Sequence, residues 1–135
     1  MEHDGVYGLW REGDLVVTVR KTRGPYAGLL DLPGGTPEEG ETYGETLRRE
    51  LAEECGVDVL AVRRWHTFVL RIQQDRVGQP IDFLHRGVIA EVEVSGGPTV
   101  RVPGEDVSGV ELVPRESLTP ATASALLLHA AALLR

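Results

Sequence analysis

A single cysteine, Cys55, stands in 135 residues. It excludes an internal disulfide framework and any cysteine-rich zinc site. Basic residues are also scarce: 14 Lys and Arg face 21 Asp and Glu, for a formal net charge of −7. That balance argues against a protein that coats nucleic acid, which needs a basic face. Lysine is nearly absent, with Lys21 beside 13 arginines, a bias that a GC-rich genome explains, although the planar arginine fork also suits phosphate oxygens. Long hydrophobic runs are missing. No basic leader precedes an apolar stretch, and the apolar segment from Ala121 to Leu134 is shorter than the roughly 20 residues a bilayer span requires and is interrupted by His129. These absences lead us to expect a single acidic domain in the cytoplasm, over residues 1–135, with neither nucleic acid nor membrane as partner.

What is present is a core-forming composition, 41% apolar, arranged in short elements. Val6 to Trp10 and Leu15 to Arg20 read as strands of a hairpin turned by Glu12-Gly13-Asp14. Arg23 to Pro37, rich in Gly and Pro, reads as loop. Thr42 to Cys55 carries Leu47 and Leu51 at helical spacing and is stopped by Gly56, which predicts a helix. Val57 to Val62, Trp65 to Ile72, Phe83 to Val94, Thr99 to Val102 and Val110 to Val113 read as strands, with a polar loop at Gln73 to Pro80 and a turn at Ser95 to Pro98. Thr119-Pro120 reads as the cap and first turn of a helix running to Leu134. That helix packs on a sheet or on the partner subunit of a homodimer. Strands on both sides of an internal helix make the class α/β or α+β with a mixed sheet.

The helix from Thr42 carries the chemistry. With Glu50 at the origin of a helical wheel, Glu54 falls near +40° and Glu53 near −60°, taking about 100° per residue. Leu47 and Leu51 lie on the adjoining flank and Arg49 on the other. The three carboxylates therefore border the core stripe, where unpaired charge is costly and like charges at i, i+4 repel. A hard divalent cation resolves the conflict, because Mg²⁺ takes oxygen ligands from carboxylates and substrate phosphates. Ahead of the helix, Gly34-Gly35 permits close approach of backbone to a ligand, and Glu41 stands near the helix start.

From Gly35 to Val57 the spacing is Gly, five residues, Glu41, seven residues, Arg49-Glu50-Leu51, one residue, Glu53-Glu54, one residue, Gly56-Val57. This resembles the Nudix box of the Nudix hydrolase family at every fixed position. The stretch Gly24 to Pro33 is similar to the lead-in to that box in MutT-like members, and Val110 to Leu118 to their late strand and short helix. The resemblance implies a mixed sheet between helices in an α/β/α sandwich. It implies hydrolysis of a nucleoside diphosphate linked to another group, with Mg²⁺ or Mn²⁺ held by Glu50, Glu53 and Glu54 and with Glu41 and the Gly35 carbonyl as further contacts. Arg49 would orient the acids, and Glu53 or Glu54 would accept the proton of the attacking water. Glu105 or Asp106 is an alternative base or ligand, or else a surface acid.

Around this box, Arg20, Lys21 and Arg23 are candidates for phosphate contacts or solvated loop charges. Trp65, Phe68, Tyr26 and Phe83 are expected to pack in the core rather than stack on a base. His66 and His85 are candidates for hydrogen bonding to a ligand or for structural roles. Subfamily signatures do not appear: Ile72 and Gln73 stand where ADP-ribose-type members carry a proline, and Gln73, Gln74 and Asp75 where diadenosine-polyphosphate types favour a tyrosine. A MutT-like nucleotide pyrophosphatase is left by elimination. A second reading is a Nudix-fold nucleotide-binding or regulatory domain without catalysis. A third, a diphosphate isomerase, would need a second acid or cysteine over the substrate, a position for which Cys55 on the box helix is poorly suited.

Overall fold

The computed structural model describes residues 1–99 and 107–134. In chain order it contains β1 (Glu2–Leu9), β2 (Arg11–Glu12), β3 (Leu15–Lys21), β4 (Leu30–Asp31), β5 (Gly34–Gly35), α1 (Tyr43–Cys55), β6 (Asp58–Gln74), β7 (Pro80–Ser95), β8 (Val107–Pro114), a 3₁₀ turn (Arg115–Ser117) and α2 (Ala125–Ala131). One sheet has the order β5-β1-β7-β6 and is mixed: β1 runs parallel to β7 and antiparallel to β5. The second is antiparallel, with β3 pairing β2, β4 and β8.

Alternation along these strands divides the core in two. Tyr7 and Leu9 of β1, Val16 of β3 and Phe83 and Ile89 of β7 join Leu126, Leu127 and Ala130 of α2. Val6, Val17, Val19, Val88, Ala90 and Val92 join Leu47, Leu51 and Cys55 of α1. Because successive strand residues face opposite sides, the two helices cover opposite faces, as expected for a mixed sheet between helices. The buried face of α2 lies in this chain's own core, so no partner subunit is needed to cover it.

Local rules account for α1. Thr42 caps it in a reciprocal box with Glu45, and Gly56 closes it at φ 69°, in the left-handed region. Elsewhere long-range pairing alters the expected bounds. The two strands expected at Val57 to Val62 and Trp65 to Ile72 are one 17-residue strand, β6, whose shifts in register against β7 carry Arg63 and Arg64 through the ladder. The Gly- and Pro-rich stretch contains two short strands, β4 and β5. The last helix begins later than expected, at Ala125 with Ser124 as its cap. Thr119 and Thr122 form a turn instead, and Leu30 bonds both Thr122 and Ser124 through its backbone. That bridge holds the segment extended until Ser124. Thr99 lies outside any strand and donates its N–H to the Cys55 carbonyl at 2.6 Å; the rest of the strand expected to Val102 lies outside the described residues.

Candidate active site

Helix α1 presents its acids where its middle meets the β5 loop. Glu50 seats its carboxyl against Gly35 so closely that a Cβ at that residue would stand 2.8 Å from the carboxyl carbon. One turn on, Glu54 accepts the Gly34 N–H at Oε1, 2.8 Å away. These two acids, with Lys21, His3, Tyr7 and Arg49, line a cavity of about 230 Å³.

Arg49 binds the set together. Its Nε and Nη2 donate to Glu41 at 2.8 Å each, its Nη1 donates to Glu50 at 2.9 Å, and Nη2 also reaches the Thr36 carbonyl at 3.2 Å. Glu53 lies 3.5 Å from Nη1, and its side chain is 58% exposed. Among the described residues, no three His, Cys, Asp or Glu side chains converge closely enough to hold a metal ion between them.

The acids differ in proton affinity for identifiable reasons. The hydrogen bond from Arg49 draws the Glu41 carboxyl down to about 2, helped by the Glu38 backbone. Burial raises Glu50 above the usual carboxylate range, against the pull of Arg49. Burial raises Glu54 further, to about 8; the Gly34 N–H opposes the shift and the neighbouring Glu50 charge adds to it. One site thus holds an acid of low pKa clamped by arginine and another of high pKa, the separation that acid–base chemistry uses. The donor set is all oxygen, which suits a hard divalent cation rather than a soft one.

The basic cluster separates into different roles. Arg20 donates to both carboxylate oxygens of Glu111, at 2.6 and 2.9 Å, and to the Gly28 carbonyl. Lys21 lines the acidic cavity and also an adjoining cavity of about 290 Å³, which Arg23 lines too. Glu105 and Asp106 lie outside the described residues. Phe68, Tyr26 and Phe83 are buried as expected, whereas Trp65 is 43% exposed. His66 contacts Glu91 at 2.6 Å. His85 is buried between the hydroxyls of Tyr7 and Tyr26. Tyr7 was not among the residues singled out from the sequence. The available signal was the period-two pattern of β7, which buries His85 together with Phe83.

A family model described as the NUDIX domain matches residues 1–132. A nucleoside triphosphatase, NudI, of Enterobacter sp. (strain 638) is 42% identical over 53 residues, 38% of this chain and 38% of its own. A putative 8-oxo-dGTP diphosphatase 2 of Mycobacterium tuberculosis (strain ATCC 25618 / H37Rv) is 44% identical over 55 residues, 40% of this chain and 39% of its own. An ADP-ribose pyrophosphatase of Methanocaldococcus jannaschii is 35% identical over 52 residues, 38% of this chain and 31% of its own. Each match spans less than two fifths of the relative's length. The solved structure of a MutT NUDIX hydrolase from Burkholderia pseudomallei shares the fold, with a TM-score of 0.71 and 19% identity over 100% of this chain and 99% of that one. A NUDIX hydrolase from Nitrosomonas europaea gives 0.69 and 17%, over 96% and 86%.

Proposed function

The chain belongs to the Nudix family, and from that premise we propose that it hydrolyses a nucleoside diphosphate linked to another moiety, a nucleoside triphosphate or nucleotide conjugate, by attack of water on a pyrophosphate phosphorus. The observation that carries this reading is the pairing of half-buried Glu50 and Glu54 against the Gly34-Gly35 backbone, on a cavity that also receives Lys21.

Each residue has a part. Arg49 fixes the relative positions of Glu41 and Glu50 through three hydrogen bonds of 2.8–2.9 Å, so the acids meet the ligand without reorganising. Glu54, with Oε1 committed to Gly34, takes the proton of the attacking water at Oε2. Glu53 joins the set by side-chain rotation from solvent. Lys21 and Arg23 contact the phosphates, whereas Arg20 is held by Glu111 and supports the sheet. Glu50, Glu53 and Glu54, with the Gly35 carbonyl and Glu41 nearby, would hold Mg²⁺ or Mn²⁺, which when bound neutralises pyrophosphate charge and positions the water.

The test is phosphate release from a panel of nucleoside triphosphates and nucleotide conjugates with Mg²⁺ or Mn²⁺, followed by Glu54→Gln on the best substrate. The amide keeps the acceptor for Gly34 and loses the base, so turnover should fall at least about 100-fold with the fold intact. An unchanged rate overturns the assignment of Glu54. Tight nucleotide binding with no turnover under either metal would favour a binding domain instead.

A further inference from the structure

Next to the acidic cavity, and sharing His3, Tyr7 and Lys21 with it, lies the larger cavity of about 290 Å³. Aromatic rings make much of its wall. His85 stacks on Phe83 at 5.2 Å between ring centroids and 27° between planes, and His3 lies 5.4 Å from His85. Buried in that wall is a chain of three polar groups. Tyr7 Oη is 2.7 Å from His85 Nε2, and Tyr26 Oη is 2.8 Å from His85 Nδ1.

The hydrogens in this chain do not balance. A neutral imidazole has one N–H and one lone pair, and each phenol has one O–H. Two contacts use two hydrogens out of three. One phenol donates to the bare ring nitrogen; the other accepts from the ring N–H, and its own hydrogen is left over. A charged imidazole would leave two. Burial, with His3 and Lys21 adding repulsion, lowers the His85 pKa to about 3, which selects the neutral form. Asp31, the buried carboxyl of the same cavity, is bonded to Ser124 Oγ at 2.6 Å and to the Leu32 backbone. No hydrogen bond joins it to either phenol among the described residues. Tyr7 and Tyr26 are only 4% and 5% exposed, so little water reaches the surplus O–H except through the cavity both residues line.

We propose that the Tyr7–His85–Tyr26 chain is a specificity-determining donor, presenting one phenolic O–H to an acceptor atom on a flat, uncharged aromatic ring, the nucleobase, seated in this cavity while the phosphates lie in the acidic one. The proposal rests on the nucleotide pyrophosphohydrolase reading for the position of the phosphates. Neutral imidazole can exchange tautomers, so the chain places its free hydrogen on whichever phenol the ring acceptor approaches. Because a buried donor left unpaired is costly, a ligand without an acceptor at that point is disfavoured.

The experiment is calorimetric titration of the full chain with AMP, GMP, CMP and UMP, without divalent cation, beside ribose 5-phosphate as the ring-free control. At least one nucleotide should bind about 10-fold or more tighter than ribose 5-phosphate, and Tyr7→Phe or Tyr26→Phe should weaken that nucleotide about 10-fold. Ribose 5-phosphate binding should not change in either variant. Should a variant misfold, ¹⁵N-histidine NMR of the unaltered chain gives the same answer: the His85 ring nitrogens should shift when the tightest nucleotide is added. Nucleotides binding no tighter than ribose 5-phosphate, folded Phe variants that both bind like the parent, or unmoved His85 resonances at saturation would each overturn the proposal. Hydrolysis of triphosphates persisting in that case would leave the reaction assignment standing, while selective nucleotide binding without hydrolysis would do the reverse.

Discussion

Arg49 has more carboxylates in reach than its fork can bond, and its choices define the site. It commits two nitrogens to Glu41 and one to Glu50, and leaves Glu53 and Glu38 at 3.5 and 3.7 Å. The effect is to hold charge at Glu41 and to oppose the rise that burial imposes on Glu50, while Glu54, which has no such bond from Arg49, keeps a high proton affinity in its half-buried position. His85 shows the converse case, a base held neutral by burial. Its pKa falls from 6.5 to about 3 in the folded chain. Between those values the unfolded chain binds a proton that the folded chain does not, so stability is present above pH 6.5 and is lost as pH falls toward 3. The His3 and Lys21 charges, together with the two phenols, surround the ring. The expected contribution is a slope of about 1.4 kcal/mol per pH unit in that window. Urea unfolding at several pH values should show the parent's slope reduced by that amount in His85→Phe. Equal slopes would mean that the imidazole protonates in the folded state.

At the scale of elements, the box helix depends on its ends. The Thr42–Glu45 capping box holds the first turn, and it stands next to Glu41, whose carboxylate also accepts from the Thr46 hydroxyl at 3.0 Å. Thr42→Ala removes the side-chain acceptor for Glu45 N–H, leaving a donor of the first turn to water. The expected loss is about 1 kcal/mol, seen as a fall in Tm of about 4 °C. A Tm within 1 °C of the parent, roughly a quarter of that expectation, would show that tertiary packing alone holds the helix start. The end at Gly56 was legible in the chain because a glycine after a run of helix formers has a local reason to take a left-handed conformation. The start of α2 was not legible, because Thr119-Pro120 is a sound local cap that loses to backbone bonds from Leu30, almost ninety residues earlier.

At the scale of the molecule, the two cavities exist because β1 runs parallel to β7 down the middle of the mixed sheet. That pairing brings Tyr7 and His85 together and sets His3 and Tyr7 at the border of both cavities. It depends on Gly87, which has φ 146° and whose added Cβ would stand 1.9 Å from the Gly5 carbonyl oxygen. Gly87→Ala therefore meets backbone rather than a movable side chain, in a conformation L-residues rarely adopt. The expected cost is about 4 kcal/mol or more, measured by urea unfolding. Loss of under about 1 kcal/mol would show that the two strands can part without harm.

The acidic stripe was determined by sequence alone. Glu50, Glu53 and Glu54 share an arc because the helix repeats every 3.6 residues and its caps lie within a few residues of the segment they close. The alternation that buries Phe68 and Phe83 was local in the same sense. The hairpin expected between Val6 to Trp10 and Leu15 to Arg20 was not: it forms only at Arg11–Glu12, because β1 leaves β3 to pair with β5 and β7 in the other sheet. Only the tertiary structure decided which acid is clamped by arginine and which is set against the glycine backbone, since Glu54 meets Gly34 across 20 residues and Arg49 meets Glu41 across 8. It also decided that Arg20 pairs with Glu111, 91 residues away, and that His85 lies between phenols 59 and 78 residues from it. Helix periodicity and capping act over one or two turns of chain, while desolvation and hydrogen-bond partnership depend on neighbours that chain order does not specify.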